Sequence, residues 1–221
     1  MAAFDTGKST LKQKIRSTVA LSLIWCTFFG GTVALSLVLK IPFDLISQPL
    51  ISVKVLSAIV VVVHTVVSVL WSALQFHVRS AMKCAGLCAT CCVIFHCFAV
   101  LFGAPAIEAT AETFHFALLL TALAVVPACF VLGPDLGRWS TVFILGKPSL
   151  GPETAVFITG ICTLVGAWLG AVPIPLDWDR PWQVWPVSCV LGSLFGYCVG
   201  LLLSAVYMPY KYRQLYKMKI T

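Results

Sequence analysis

Two short polar clusters interrupt an otherwise apolar chain, and they hold the residues whose types and spacing could do chemistry. Glu108, Glu112 and His115 recur at i, i+4 and i+7, so on a helix they share one face. Glu112-x-x-His115 has the spacing that helical carboxylate sites use to hold metal ions. Such sites draw a second Glu-x-x-His and further Glu residues from other helices, and the chain offers no second copy. The reading preferred is therefore electrostatic: both carboxylates favour the positive end of the helix dipole at a membrane surface. No metal and no cofactor are expected.

The second cluster is Asp177-Trp178-Asp179-Arg180-Pro181-Trp182. Trp178, Trp182 and Trp185 again fall at i, i+4 and i+7 and would line one side of a short interfacial helix. Pro173, Pro175, Pro181 and Pro186 limit that helix to about a turn or two. Trp at a lipid boundary is the ordinary aromatic belt. Alternatively, Arg180 meets a phosphate, for which its planar fork suits it better than Lys. Anchor and recognition loop both stay open at this point.

Elsewhere the polar residues read as packing. Cys84, Cys88, Cys91, Cys92 and Cys97 crowd one apolar run with His96 beside them. Cys88-x-x-Cys91 lacks the four converging ligands of a zinc site, and a buried thiolate in lipid is costly, so these thiols read as small hydrophobes. Cys84, at one end of the run, is also a palmitoylation candidate. His64, near the middle of another run, has no acid on its own helix to form a proton relay and reads as a neutral, hydrogen-bonded group. The chain has no G-x-S-x-G, no P-loop, no spaced-Asp string of the CDP-alcohol phosphotransferases and no lipid-phosphatase Arg/His set. Acid–base chemistry would have to come from the two short clusters.

The elements that position these clusters follow from composition. Of 221 residues 60% are hydrophobic and only 10% charged, against about a quarter charged in soluble proteins. Six apolar runs, at 18–39, 55–74, 84–102, 114–132, 154–172 and 187–207, are each long enough to cross about 30 Å of hydrocarbon as a helix. Backbone polar groups in lipid must be paired internally, so the expected fold is all-α: a polytopic helical bundle of about six transmembrane helices, forming a single membrane domain over 1–221. The connecting loops are too short for a soluble domain.

Charge sets the expected orientation. Lys8, Lys12, Lys14, Arg16, Arg79, Lys83, Arg138, Lys147, Lys211, Arg213, Lys217 and Lys219 fall on one side of those spans, and only Lys40, Lys54 and Arg180 on the other. The positive-inside rule then puts both tails, 1–17 and 208–221, in the cytosol. The polar clusters become lumenal, together with Asp44. The net charge of +7 is thus a topology signal and no sign of a nucleic-acid partner. The first run is too long for a cleavable signal and reads as a signal anchor. Lys217 and Lys219, in Lys-Met-Lys-Ile-Thr, match a dilysine retrieval signal for the endoplasmic reticulum, with plain basic anchoring of the last helix as the other reading.

Small residues give the clearest packing signal. Gly192, Gly196, Gly200 and Ser204 recur every four residues in the last run, and Gly166 and Gly170 do so in the fifth. Such stripes let helices approach closely in lipid, where apolar burial supplies no drive between them. Packing within the bundle is preferred over packing against a partner, with the fifth and sixth helices as a tight pair.

Two segments carry a resemblance. Gly166–Pro186, GAWLGAVPIPLDWDRPWQVWP, and Gly103–Pro134, GAPAIEATAETFHFALLLTALAVVPACFVLGP, resemble the PIG-F family of phosphatidylinositol-glycan biosynthesis proteins and cover roughly a quarter of the chain. The resemblance implies a multi-pass protein of the endoplasmic reticulum membrane. It implies a non-catalytic subunit that binds and stabilises the large phosphoethanolamine transferases acting on mannose of the GPI precursor, with the metal-dependent chemistry residing in the partner. Glu108, Glu112, His115, Asp177, Trp178, Asp179, Arg180, Trp182 and Trp185 are then expected to face that partner or a membrane lipid. The alternative is a small membrane enzyme or transporter acting on a lipid at the lumenal surface.

Overall fold

The computed structural model describes residues 2–39, 48–72, 78–176 and 178–217. Lys40, Asp44, Asp177 and Lys219 lie outside the described residues. Helices α1 (Ala2–Leu39), α2 (Pro49–Ser72) and α3 (Val78–Leu101) come first. Three consecutive segments, Thr110–Leu120, a π-helical turn at Thr121–Val125 and Val126–Leu132, then stack into one span, α4 (Thr110–Leu132). A short helix α5 (Leu136–Trp139) runs into a second π turn at Ser140–Ile144. Helices α6 (Pro152–Ala171) and α7 (Val187–Lys217) complete the order, joined by a loop with a 3₁₀ turn at Pro181–Gln183.

Among the described residues four helices are long and apolar enough to cross a membrane: Ser80–Leu101, Thr110–Leu132, Pro152–Ala171 and Val187–Leu215. These coincide with the third to sixth apolar runs. The first run lies within α1. The second begins in α2 and continues past Ser72 into residues that are not described.

Helix α4 is the hub. Phe116, Leu119, Leu120 and Leu123 are buried in one core with Trp25 of α1, Val53 and Val60 of α2, Ala167 of α6 and Val190, Leu194 and Tyr197 of α7. The π turn falls just before Pro127, which has no N–H and whose ring would press on the carbonyl four residues back. Widening the turn moves that carbonyl aside and keeps the span continuous, with the Val126 N–H bonded to the Thr121 carbonyl. Helix α3 packs mainly on α4 and turns Met82, Val93, Ile94, Phe98 and Leu101 outward, a face suited to lipid and not to water. Cys84 is buried against Val125 and Cys129, and Cys88 Sγ sits 3.7 Å from Cys129 Sγ. These thiols fill the α3–α4 seam, so Cys84 is not presented for palmitoylation as the sequence suggested.

The most extensive contact joins α6 and α7. A Cβ added at Gly166 would meet the Gly192 carbonyl and lie 2.9 Å from Gly196 Cα. One added at Gly170 would lie 2.8 Å from Cys189 Cα, and one at Gly200 2.7 Å from Thr159 Cα. Gly192 and Gly196 meet Gly170 and Gly166 in return, so the two stripes pack on each other inside the chain. Only glycine allows backbones to come this close, and the gain is dispersion along the full contact.

The connection from α4 to α6 carries structure that the apolar pattern does not reveal. Asp135 caps α5 by accepting from the Gly137 N–H at 2.9 Å. Arg138 donates to the Leu132 carbonyl at the end of α4 and pairs with Glu153 in the first turn of α6. The second oxygen of Glu153 accepts from the Ser149 N–H at 3.0 Å.

Candidate functional site: two polar loops at one end of the bundle

The loop before α4 and the loop between α6 and α7 are about seventy residues apart in sequence and are joined by one side chain. Trp185 donates its indole N–H to Thr113 Oγ1 at 3.0 Å, and its ring stands edge-on to Phe116 with centroids 5.4 Å apart. Thr113 is fully buried and donates in turn to the Ala109 carbonyl at 2.9 Å. An indole N–H needs a partner when buried, and Thr113, one turn into α4, supplies it. The two segments that carry the family resemblance are therefore one structural unit.

Gln183 holds the second loop in shape. Its side-chain amide donates to the Pro173 carbonyl at 2.6 Å and the Leu176 carbonyl at 2.7 Å, while its Oε1 accepts from the Arg180 N–H at 2.7 Å. One side chain thereby gives the Arg180 N–H its acceptor and adds a second donor to the Pro173 and Leu176 carbonyls, which also accept from the Leu176 and Trp178 N–H groups. The expected interfacial helix is shorter than the Trp spacing suggests, a single 3₁₀ turn at Pro181–Gln183. Prolines at 173, 175 and 181 leave too few donors for more. Trp178, Trp182 and Trp185 consequently do not share one side. Trp178 and Trp182 meet edge-on at 6.1 Å on the outside, while Trp185 turns inward. Asp179 and Arg180 are exposed beside them, with Asp179 at φ 47°.

The first cluster is also divided. Glu108 is exposed in the turn before the helix, so it does not extend the face of Glu112 and His115. Glu112 lies in the first turn of α4, where a carboxylate suits the helix dipole. His115 Nδ1 lies 2.7 Å from the Ala111 carbonyl; since a carbonyl only accepts, Nδ1 carries the proton. Among the described residues, no three His, Cys, Asp or Glu side chains converge as a metal-binding group. His96 borders Phe114 at 6.3 Å, and its buried Nδ1 has no hydrogen-bond partner among the described residues. The side chain of His64 is outside the described set.

Thr113, Phe116 and Gln183 are the site residues that sequence reasoning missed. Gln183 alone had a local signal, an amide three residues after Arg180 in a loop short of donors. What results is a rigid, aromatic-rich platform with an exposed Arg and acids, and with no converging set of catalytic groups among the described residues.

Fold and site together define an all-helical integral membrane protein with a structured polar cap. The chain belongs to the Pig-F family of GPI biosynthesis proteins, whose family model matches residues 28–205. A human protein named GPI ethanolamine phosphate transferase, stabilizing subunit, is 46% identical over 144 residues, 65% of this chain and 66% of that protein. Its mouse counterpart, of the same name, is 45% identical over the same shares. Glycosylphosphatidylinositol anchor biosynthesis protein 11 of Yarrowia lipolytica is 43% identical over 125 residues, 57% of this chain and 54% of that protein. The chain thus spans just under two thirds of the mammalian relatives it matches. No solved structure matches.

Proposed function

We propose that this chain is a non-catalytic membrane subunit that binds and stabilises the phosphoethanolamine transferases of GPI-anchor biosynthesis in the endoplasmic reticulum, supporting transfer of phosphoethanolamine to mannose of the GPI precursor. The observation that carries this reading is the Trp185–Thr113 link, which makes the two resemblance-bearing loops one platform, in a chain 46% identical to a stabilizing subunit. The platform has exposed Trp178, Asp179 and Arg180 for contact, yet no nucleophile–base pair or metal cage among the described residues. Six spans with both termini in the cytosol place it on the lumenal side, where Glu108, Glu112 and the 177–185 loop meet the transferase or its lipid substrate.

The test is a mild-detergent pull-down of the tagged chain from endoplasmic reticulum membranes, paired with transferase levels in cells lacking it. A large transferase recovered in near-equal amount, and falling in abundance when this chain is removed, is the expected result. Recovery of the chain alone with transferase levels unchanged overturns the subunit reading. A membrane enzyme would then be indicated if replacing Glu108, Glu112, Asp177 and Asp179 abolished lipid chemistry.

A further inference from the structure

At the opposite end of the bundle from the tryptophan loop, α1 and α7 enclose an open groove of about 670 Å³. Lys12 and Arg16 line it from α1 and Arg213 from α7, all three exposed. Below them Ile15, Val19 and Leu23 continue the wall along α1. From Lys12 to Leu23 is about 16 Å of helix at 1.5 Å per residue, long enough for a headgroup and the first part of an acyl chain. The groove straddles the point where the apolar run starting at Thr18 meets the basic flank, so its rim is charged and its depth apolar. Among the described residues the one ion pair is Arg138–Glu153, so none of the three cations is paired with a carboxylate there. Ile15 of the groove wall packs with Met208 of α7 and Ala155 of α6, so the cations stand on helices that pack together and not on a loose tail.

We propose that this groove is a binding site for an anionic glycerophospholipid, with its phosphodiester and headgroup charge on Lys12, Arg16 and Arg213 and the start of one acyl chain along Val19 and Leu23. Charge complementarity selects the occupant: three cations with no carboxylate partner among the described residues, set around an apolar slot, match a lipid of net negative charge. A zwitterionic lipid carries as much ammonium as phosphate charge, so it gains no net attraction from the cluster. A bound lipid clamps α1 to α7 at the end of the bundle farthest from the polar loops. This inference goes beyond the subunit reading and does not rest on it.

The test is native mass spectrometry of the full chain, purified in mild detergent with any partner it carries, after incubation with dioleoyl-phosphatidylserine or dioleoyl-phosphatidylcholine. The expected result is retention of phosphatidylserine over phosphatidylcholine and an at least ten-fold loss in K12Q/R16Q/R213Q. L23W, which fills the apolar slot and leaves every cation, is expected to lose retention as well. K147Q/K211Q removes two cations that line a separate groove on the other side of α7 and is expected to keep it. If the triple variant does not fold, the single variants carry the test, each with a two- to threefold loss. Equal retention of both lipids, undiminished retention in the charge variants or L23W, or an equal loss in K147Q/K211Q overturns the proposal. Inorganic phosphate binding as tightly as phosphatidylserine overturns it too, since the groove would then be a free-anion site.

Discussion

Gln183 shows how much one amide can do where a backbone has few partners of its own. Its two donors and one acceptor are all used, and each is used on a loop carbonyl or N–H. Replacing it with Ala removes the acceptor of the Arg180 N–H and one of two donors from the Pro173 and Leu176 carbonyls, which keep the Leu176 and Trp178 N–H groups, at a cost of about 1 kcal/mol. Q183E is the sharper probe, because a carboxylate can still accept from Arg180 but faces two carbonyls it can only repel. We expect faster hydrogen exchange over 173–186 in both variants, with Q183E at least as fast as Q183A; a Q183E protein indistinguishable from wild type sinks the buckle role. At Trp185 the two contributions separate. W185F keeps a six-membered ring against Phe116, loses the bond to Thr113 and fills less space than the indole, for about 1–2 kcal/mol, whereas W185A removes the ring altogether and opens a cavity costing about 3 kcal/mol or more. Thermal melts in one detergent measure the difference, and equal losses would mean that the ring contact carries no weight.

Among the elements, the α6–α7 pair is held by absence of side chains. A methyl at Gly166 or Gly196 meets backbone on the facing helix, which cannot swing away as a side chain can. G166A and G196A are therefore expected to force the helices apart and lower stability by about 1–3 kcal/mol each, while G86A, with open space around its Cβ, is expected to be neutral or slightly stabilising. Melting temperatures of the three decide this, and a tolerated G196A would show that the pair is looser than its geometry. This contact was readable in the sequence because small residues every four positions have one physical use in lipid. The third to sixth apolar runs were readable too, since length and hydropathy alone define a span. Thr113 was not, because a bond from Trp185 to a residue seventy-two positions away leaves no local period. Nor was α5: its signal is Asp135 after Pro134, and a four-residue helix is too short for a period to set it apart.

At the scale of the whole molecule the two ends differ in kind, and the difference predicts how the chain is inserted. One end holds the tryptophan platform with Glu108, Glu112, Asp179 and Arg180. The other gathers Lys12, Arg16, Lys147, Lys211 and Arg213 around two grooves. Basic residues resist translocation, so the proposed orientation sets the second end in the cytosol and the platform in the lumen. A glycosylation acceptor on a Gly/Ser spacer therefore has opposite fates at the two ends. Inserted after Asp179 it is expected to be glycosylated in microsomes, and inserted after Gly146 it is expected to stay unmodified. Arg180 is the one cation on the platform loop, so R180E should leave this pattern unchanged, because orientation is set by the many cations at the other end. Glycosylation at the Gly146 site, or at both sites, would invert or split the orientation and would remove the platform from the compartment where a transferase could meet it.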